Sequence, residues 1–133
     1  MTGPIFVFGS NLSGRHGKGA ALWAKQHRGA IYSQGEGRQG DSYAIPTKNE
    51  NLKTLPVLVI GVHVNRFLRY AAEHPELTFE LTPIGCGLAG YRPGDIAPLF
   101  AEAPANVQLP PEFLAVLYAS GARQMPPMGF HGP

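Results

Sequence analysis

The sequence predicts a single α/β domain: a three-layer α/β/α sandwich, with helices on both faces of one sheet and ligands at the carboxyl ends of its strands. Three observations predict it. Short apolar or alternating runs suited to strands take turns along the chain with longer runs of helical spacing. Two strand-to-helix junctions, residues 9–21 and 85–91, are unusually rich in glycine. The length, 133 residues, suits one core. That core is expected within residues 1–123, with 124–133 a flexible tail broken by Pro126-Pro127 and two glycines.

Taken in order, Ile5-Phe6-Val7-Phe8 is wholly apolar, as in a strand buried on both faces. Residues 18–27 read as a helix with Ala20, Ala21, Trp23 and Ala24 on its buried side and Gly29 as its stop. Ala30-Ile31-Tyr32 reads as a short second strand and Ser42-Tyr43-Ala44-Ile45-Pro46 as the third. Pro56 suits the opening turn of a helix. Val57, Ile60, Val64, Phe67, Leu68 and Ala71 then recur at three- and four-residue spacing until Pro75 ends the run. Gly61 weakens this helix, and Val57-Leu58-Val59-Ile60 taken alone would equally suit a strand. Residues 77–82 are expected as the fourth strand and the centre of the sheet, beside 5–8 and 43–46. A short helix near Asp95 to Phe100 follows. Residues 106–117, with a proline pair and an apolar run, suit a short edge strand and a terminal helix.

Composition narrows the function. Charged residues make up 15%, well below the usual level of about 25%. The formal net charge is only +2 and the basic residues are scattered, so bulk nucleic-acid binding has little support. A single cysteine excludes an internal disulfide and a cysteine-rich zinc site, and fits a reducing compartment. No signal-peptide pattern opens the chain, and no apolar run approaches the roughly 18 residues that span a bilayer. A soluble, cytoplasmic protein is expected, with no membrane partner, no metal and no cofactor.

The glycine-rich junctions carry the chemistry. Glycines between a strand and a helix let the backbone approach a ligand and aim N–H groups at an anion. Two such turns suggest a phosphate-bearing ligand clamped between loops. Two familiar patterns nearly occur. Gly35-Glu36-Gly37-Arg38-Gln39-Gly40 matches G-x-G-x-x-G, but a strand candidate follows where a dinucleotide fingerprint opens a helix, so the segment reads as a flexible loop over a site. Gly9 and Gly14 have P-loop spacing, but Arg15-His16 stands where Lys-Ser/Thr belongs.

Together these segments resemble the macrodomain superfamily of ADP-ribose-binding proteins over residues 5–100. Phe6-Val7-Phe8-Gly9-Ser10-Asn11, followed by Gly17-Lys18-Gly19-Ala20-Ala21, resembles its first ligand loop. Pro83-Ile84-Gly85-Cys86-Gly87-Leu88 resembles the second loop of the subgroup that includes terminal ADP-ribose glycohydrolase, and Ser42-Tyr43-Ala44-Ile45-Pro46-Thr47-Lys48 resembles that subgroup's intervening strand. The Phe-Gly-Ser-Asn-Leu opening and the Ile-Pro-Thr-Lys segment are also similar to short phage- and prophage-type proteins. The resemblance implies a macrodomain-like fold truncated at the N-terminus, because the upstream strand and the adenine-recognising Asp of macrodomains have no counterpart here. It implies a ligand site of Asn11, Gly17, Lys18, Gly19, Ala20, Gly85, Cys86, Gly87, Leu88, Ala89, Gly90 and Tyr91. Lys48 stands where the subgroup's nucleophilic lysine does. Ala89 occupies the place of its acid/base Asp, so that role is vacant.

Each candidate has a plainer explanation. Lys48 also reads as a surface lysine at a strand end. As a nucleophile it needs burial or a neighbouring cation, which Lys18 or Arg15 would supply. Asn11 suits a turn as well as a ligand contact. His16 reads as a loop surface histidine, with a general base as the alternative. Cys86 reads as a small packing residue, since a thiolate needs a basic partner. Tyr91 would stack on the ligand or cap its loop, and Asp95 suits a helix N-terminus. Three functions follow: a binder of ADP-ribose or a related nucleotide that need not turn it over, an ADP-ribosyl glycohydrolase with Lys48 as nucleophile, or a phage-type structural or interaction protein with an unused pocket.

Overall fold

A computed structural model describes residues 3–125. The chain forms a mixed α/β fold on a five-stranded sheet. The strands are β1 (Ile5–Asn11), β2 (Gly37–Gln39), β3 (Ser42–Lys48), β4 (Phe79–Leu81) and β5 (Val107–Gln108). The helices are α1 (Gly19–His27), α2 (Val57–Glu73), α3 (Pro93–Ile96), continued by a 3-10 turn at Ala97–Phe100, and α4 (Pro111–Ala119). The sheet order is β2-β3-β1-β4-β5, with β1, β3, β4 and β5 parallel and β2 antiparallel.

The expected neighbours β3, β1 and β4 are adjacent, but the centre of the sheet is β1, not β4. The patterns explain why. The run in β1 is apolar on both faces, whereas Phe79 and Leu81 are buried and Glu80 between them is exposed. Along β1, Ile5 and Val7 face a large core shared with α2, α4 and the 3-10 turn, while Phe6 and Phe8 face a smaller cluster with Ala21 and Ala24 of α1. Alternation along one central strand therefore builds both cores. Helix α2 buries Ile60, His63, Val64, Phe67 and Ala71, close to the periodic stripe, and passes through Gly61 without becoming a strand. Phe67 stacks edge-on with Tyr43 of β3 (4.9 Å) and Phe79 of β4 (5.4 Å), joining three elements.

Two sequence expectations fail between α1 and β3. Residues 30–32 are not a strand: Ile31 and Tyr32 are each 52% exposed, and the Ile31 N–H donates to the Gln39 side chain (2.7 Å). The missing strand is β2, inside the glycine-rich stretch expected to be a loose loop. It forms a hairpin with β3 in which Gln39 faces Ser42, so Gly40 and Asp41 make a two-residue turn. Glu36 then ties this edge to α2 through His63 Nδ1 (2.8 Å) and Arg66 Nη1 (2.9 Å). In α1, Ala21 and Ala24 are buried as expected, but Ala20 is exposed and Trp23 is 41% exposed, lying against Phe6. Among the described residues no helix is long and apolar enough to cross a membrane. The expected tail falls mostly outside them, beyond Met125.

Candidate functional site

Strand β1 is longer than expected and runs through Gly9-Ser10-Asn11, which reads in sequence as a turn. Its register against β3 shifts between Ser10 and Asn11 and sets Asn11 beside Lys48. A bulge of this kind re-aims side chains at the end of a strand. Two site candidates far apart in sequence thus meet at the carboxyl end of the sheet.

A cavity of about 650 Å³ opens there, a size suited to a nucleotide-sized ligand. The first loop contributes Asn11, Gly17, Lys18, Gly19 and Ala20 to its wall, and the second Gly85, Cys86, Gly87, Leu88 and Ala89. Lys48 stands between them at the end of β3. The two glycine loops therefore share one cavity, as the sequence predicts. Gly90 and Tyr91 are not part of this wall. The Tyr91 hydroxyl donates to the Leu55 carbonyl (2.6 Å), so it fastens the second loop to the residues before α2 instead of facing a ligand.

Charge in the wall is one-sided. Arg15, Lys18 and Lys48 line it, and no Asp or Glu does. Asp95 lies outside: its carboxylate accepts the Arg92 backbone N–H (2.9 Å) at the start of α3, the dipole-favoured role expected of it. Ala89 lines the cavity where the resemblance would place an acid. Among the described residues no group of three His, Cys, Asp or Glu side chains is placed to hold a metal ion.

His16 differs most from the sequence reading. It is fully buried, edge-on to Phe8 at 5.2 Å, and is neither a surface histidine nor part of the cavity wall. Its Nε2 lies 3.0 Å from the Gln34 carbonyl, which only accepts, so Nε2 carries the hydrogen. Gln39 Oε1 is 3.2 Å from the same nitrogen. Since Arg15 and Gly17 on either side line the cavity, His16 pins the first loop to the protein from beneath. Asn11 stiffens the same loop. Its Oδ1 accepts from the Arg15 N–H (2.9 Å) and the Ser13 hydroxyl (2.8 Å), and its Nδ2 donates to the Arg15 carbonyl (2.9 Å). Two glycines let this loop lie against residues 33–35. A Cβ on Gly14 would stand 2.4 Å from the Gln34 nitrogen, and one on Gly35 would stand 2.4 Å from the Asn11 carbonyl oxygen.

Cys86 is half-buried against the larger core, and burial pushes its thiol above the ordinary range, with smaller contributions from Glu112 and Asp95. A thiol held protonated is a packing group, not a nucleophile.

Sequence reading missed the turn after β3. Asn49 organises it: its Oδ1 accepts from the Asn51 and Lys53 N–H groups, and its carbonyl accepts from the Leu52 N–H (3.0 Å). Leu52 takes φ +63°, a left-handed conformation costing a leucine about 1 kcal/mol or more. The Thr54 hydroxyl donates to the Ala89 carbonyl (2.9 Å), linking this turn to the second glycine loop. The Asn49-Glu50-Asn51 composition marks a turn, but nothing local shows that it overhangs a cavity.

Comparison with models of known protein families gave no match, and comparisons with curated proteins and with solved structures gave no significant match.

Proposed function

We propose that this chain binds ADP-ribose or a related nucleotide, its diphosphate held by backbone N–H groups of the two glycine loops. The observation that carries this reading is the convergence of both loops and three cations, with no carboxylate, on one open cavity. Backbone N–H groups at loop-to-helix junctions suit phosphate oxygens, and flanking cations add long-range attraction. The open cavity favours a ligand protein over a scaffold whose pocket is filled by its own side chains. The sheet order, with α1 on one face and α2 and α4 on the other, supports a three-layer sandwich of macrodomain type.

A second reading, hydrolysis of an ADP-ribosyl conjugate, is supported by Lys48 in the same wall. Its Nζ, after giving up its ammonium proton, would form a bond to the anomeric carbon as the bond to the leaving group breaks, and the leaving group would need a proton. General acid help is worth about 10²–10⁴ in rate. With Ala89 in the acid's place, and Asp95 and His16 both outside the wall, no carboxylic acid or imidazole lines the cavity to supply it. Binding without efficient turnover is the better-supported function.

Calorimetry with ADP-ribose tests it, alongside thermal shift, because a bound ligand raises the melting temperature by mass action. Gly87→Glu should abolish binding while leaving the fold intact, since a Cβ there meets nothing within 4 Å. Absence of binding by ADP-ribose, ADP and NAD alike would refute the proposal. In parallel, wild type and Lys48→Ala are incubated with an ADP-ribosylated substrate and examined by mass spectrometry. Rapid release by wild type that Lys48→Ala abolishes, with binding retained, would make the protein an enzyme.

A further inference from the structure

Helix α4 has a side that the core does not use. Phe113, Val116 and Leu117 pack inward, with Phe113 stacked on Phe100 at 5.8 Å. On the outer side Pro111, Leu114, Ala115, Tyr118 and Ala119, together with Met125, line an open groove of about 610 Å³. Glu112 is the one charged residue among the 9 of this helix. A helix that is apolar all round is normally a buried one, so the outer side has the composition of a covered surface. None of the groove's residues lines the larger cavity, and what covers the groove is a question separate from the nucleotide.

The chain that follows α4 is delivered to this groove. It reverses at Gly121, in the left-handed region at φ +77°, and the Arg123 N–H donates to the Leu117 carbonyl (3.2 Å). Arg123 Nη1 donates to the Ala101 and Ala103 carbonyls (3.3 and 3.2 Å), which fastens the reversed segment beside the 3-10 turn. Two residues on, Met125 is already in the groove wall. The sequence then reads Pro126-Pro127-Met128-Gly129-Phe130-His131-Gly132-Pro133, without Lys, Arg, Asp or Glu. Paired prolines favour extended backbone, in which Met128 and Phe130, two apart, share one side. The groove follows α4 from Pro111 to Ala119, about 12 Å of helix. Residues 126–130 cover about 13 Å when extended. From this match of length and chemistry we infer that the groove is the docking site of residues 126–130 of the same chain, with Met128 and Phe130 as the apolar anchors. Two physical terms favour this occupant over a separate molecule. Attachment at Met125 holds the segment at an effective concentration of the order of millimolar. One side of a 9-residue helix also falls well short of the roughly 800 Å² that each partner buries in a standard protein interface.

Chymotrypsin cleavage after Phe130 in the full chain, followed by mass spectrometry, reads the docked fraction, because a protected bond is cut only when the segment opens. Ala115→Asp places a carboxylate in the groove at an exposed position, where it costs the fold little but disfavours apolar contact. It should speed the cleavage about tenfold or more as the open fraction rises, with the circular dichroism spectrum of wild type retained. Phe130→Ser leaves residues 3–125 untouched. It should raise the binding of an apolar dye, anilinonaphthalene sulfonate, by uncovering Leu114 and Tyr118. Protection that is independent of protein concentration and lost in Ala115→Asp is the expected result. Equal cleavage rates in wild type and Ala115→Asp would overturn the inference, as would dye binding that Phe130→Ser leaves unchanged. Protection that grows with protein concentration would overturn it differently, by placing the segment of a second copy in the groove.

Discussion

At the scale of single residues, types were easier to read than surroundings. Lys48, Asn11 and the two glycine loops were legible because strand ends and glycine clusters are marked locally. His16 was not, because its burial depends on Gln34 and Gln39, which a hairpin brings back beneath the first loop. The polar sequence around His16 signalled a surface, while the fold needed a donor inside. Leu52 was missed for a related reason: an apolar residue in a polar turn is unremarkable until a cavity opens beside it. Cys86 gives a direct check. Burial and two nearby carboxylates disfavour its thiolate, so iodoacetamide should label the native protein slowly at neutral pH and accelerate only above the ordinary thiol range. Rapid labelling at pH 7, with the fold intact, would return Cys86 to the list of nucleophiles.

Among the elements, those with strong periodicity were legible and those defined by partners were not. The α2 stripe and the apolar β1 run declare themselves, since each buries a face that its own spacing creates. Strand β2 has only three residues and exists because β3 pairs with it, so its glycines looked like a loop. The end of α2 shows how distant residues finish an element. Its last carbonyls have no partners within the helix. The Asn106 amide nitrogen, from the segment before β5, lies 2.9 Å from the Ala71 carbonyl oxygen, 3.1 Å from that of His74 and 3.0 Å from that of Leu77. Asn106→Ala would remove this donor; the Ala71 and His74 carbonyls keep the His74 and Leu77 N–H groups, so the loss falls mainly on the Leu77 carbonyl, at a cost of about 1 kcal/mol in urea unfolding. Binding at the cavity, at the other end of β4, should be unchanged. A negligible change in stability would mean that water replaces the amide without penalty.

For the molecule as a whole, a formal charge of +2 conceals an uneven distribution: three of its eleven Lys and Arg residues line one cavity whose wall has no Asp or Glu. This matters because two mechanisms hold an anion differently under salt. Backbone N–H groups act at contact distance and are little affected by ionic strength. The attraction of Arg15, Lys18 and Lys48 reaches further and is screened, since the Debye length falls from about 10 Å at 0.1 M to about 3 Å at 1 M. If backbone groups do most of the holding, as the glycine loops suggest, affinity for ADP-ribose should weaken with salt but survive. About a tenfold loss between 0.05 and 0.5 M is expected, of the order of 1.4 kcal/mol. Lys18→Ala should flatten the salt dependence and lower affinity moderately, in contrast to the complete loss expected for Gly87→Glu. Calorimetry at several salt concentrations on wild type and both variants separates the two contributions. A loss of a thousandfold or more over that range in wild type, largely removed in Lys18→Ala, would place the binding energy in the side-chain cations. The glycine loops would then be merely the walls between them.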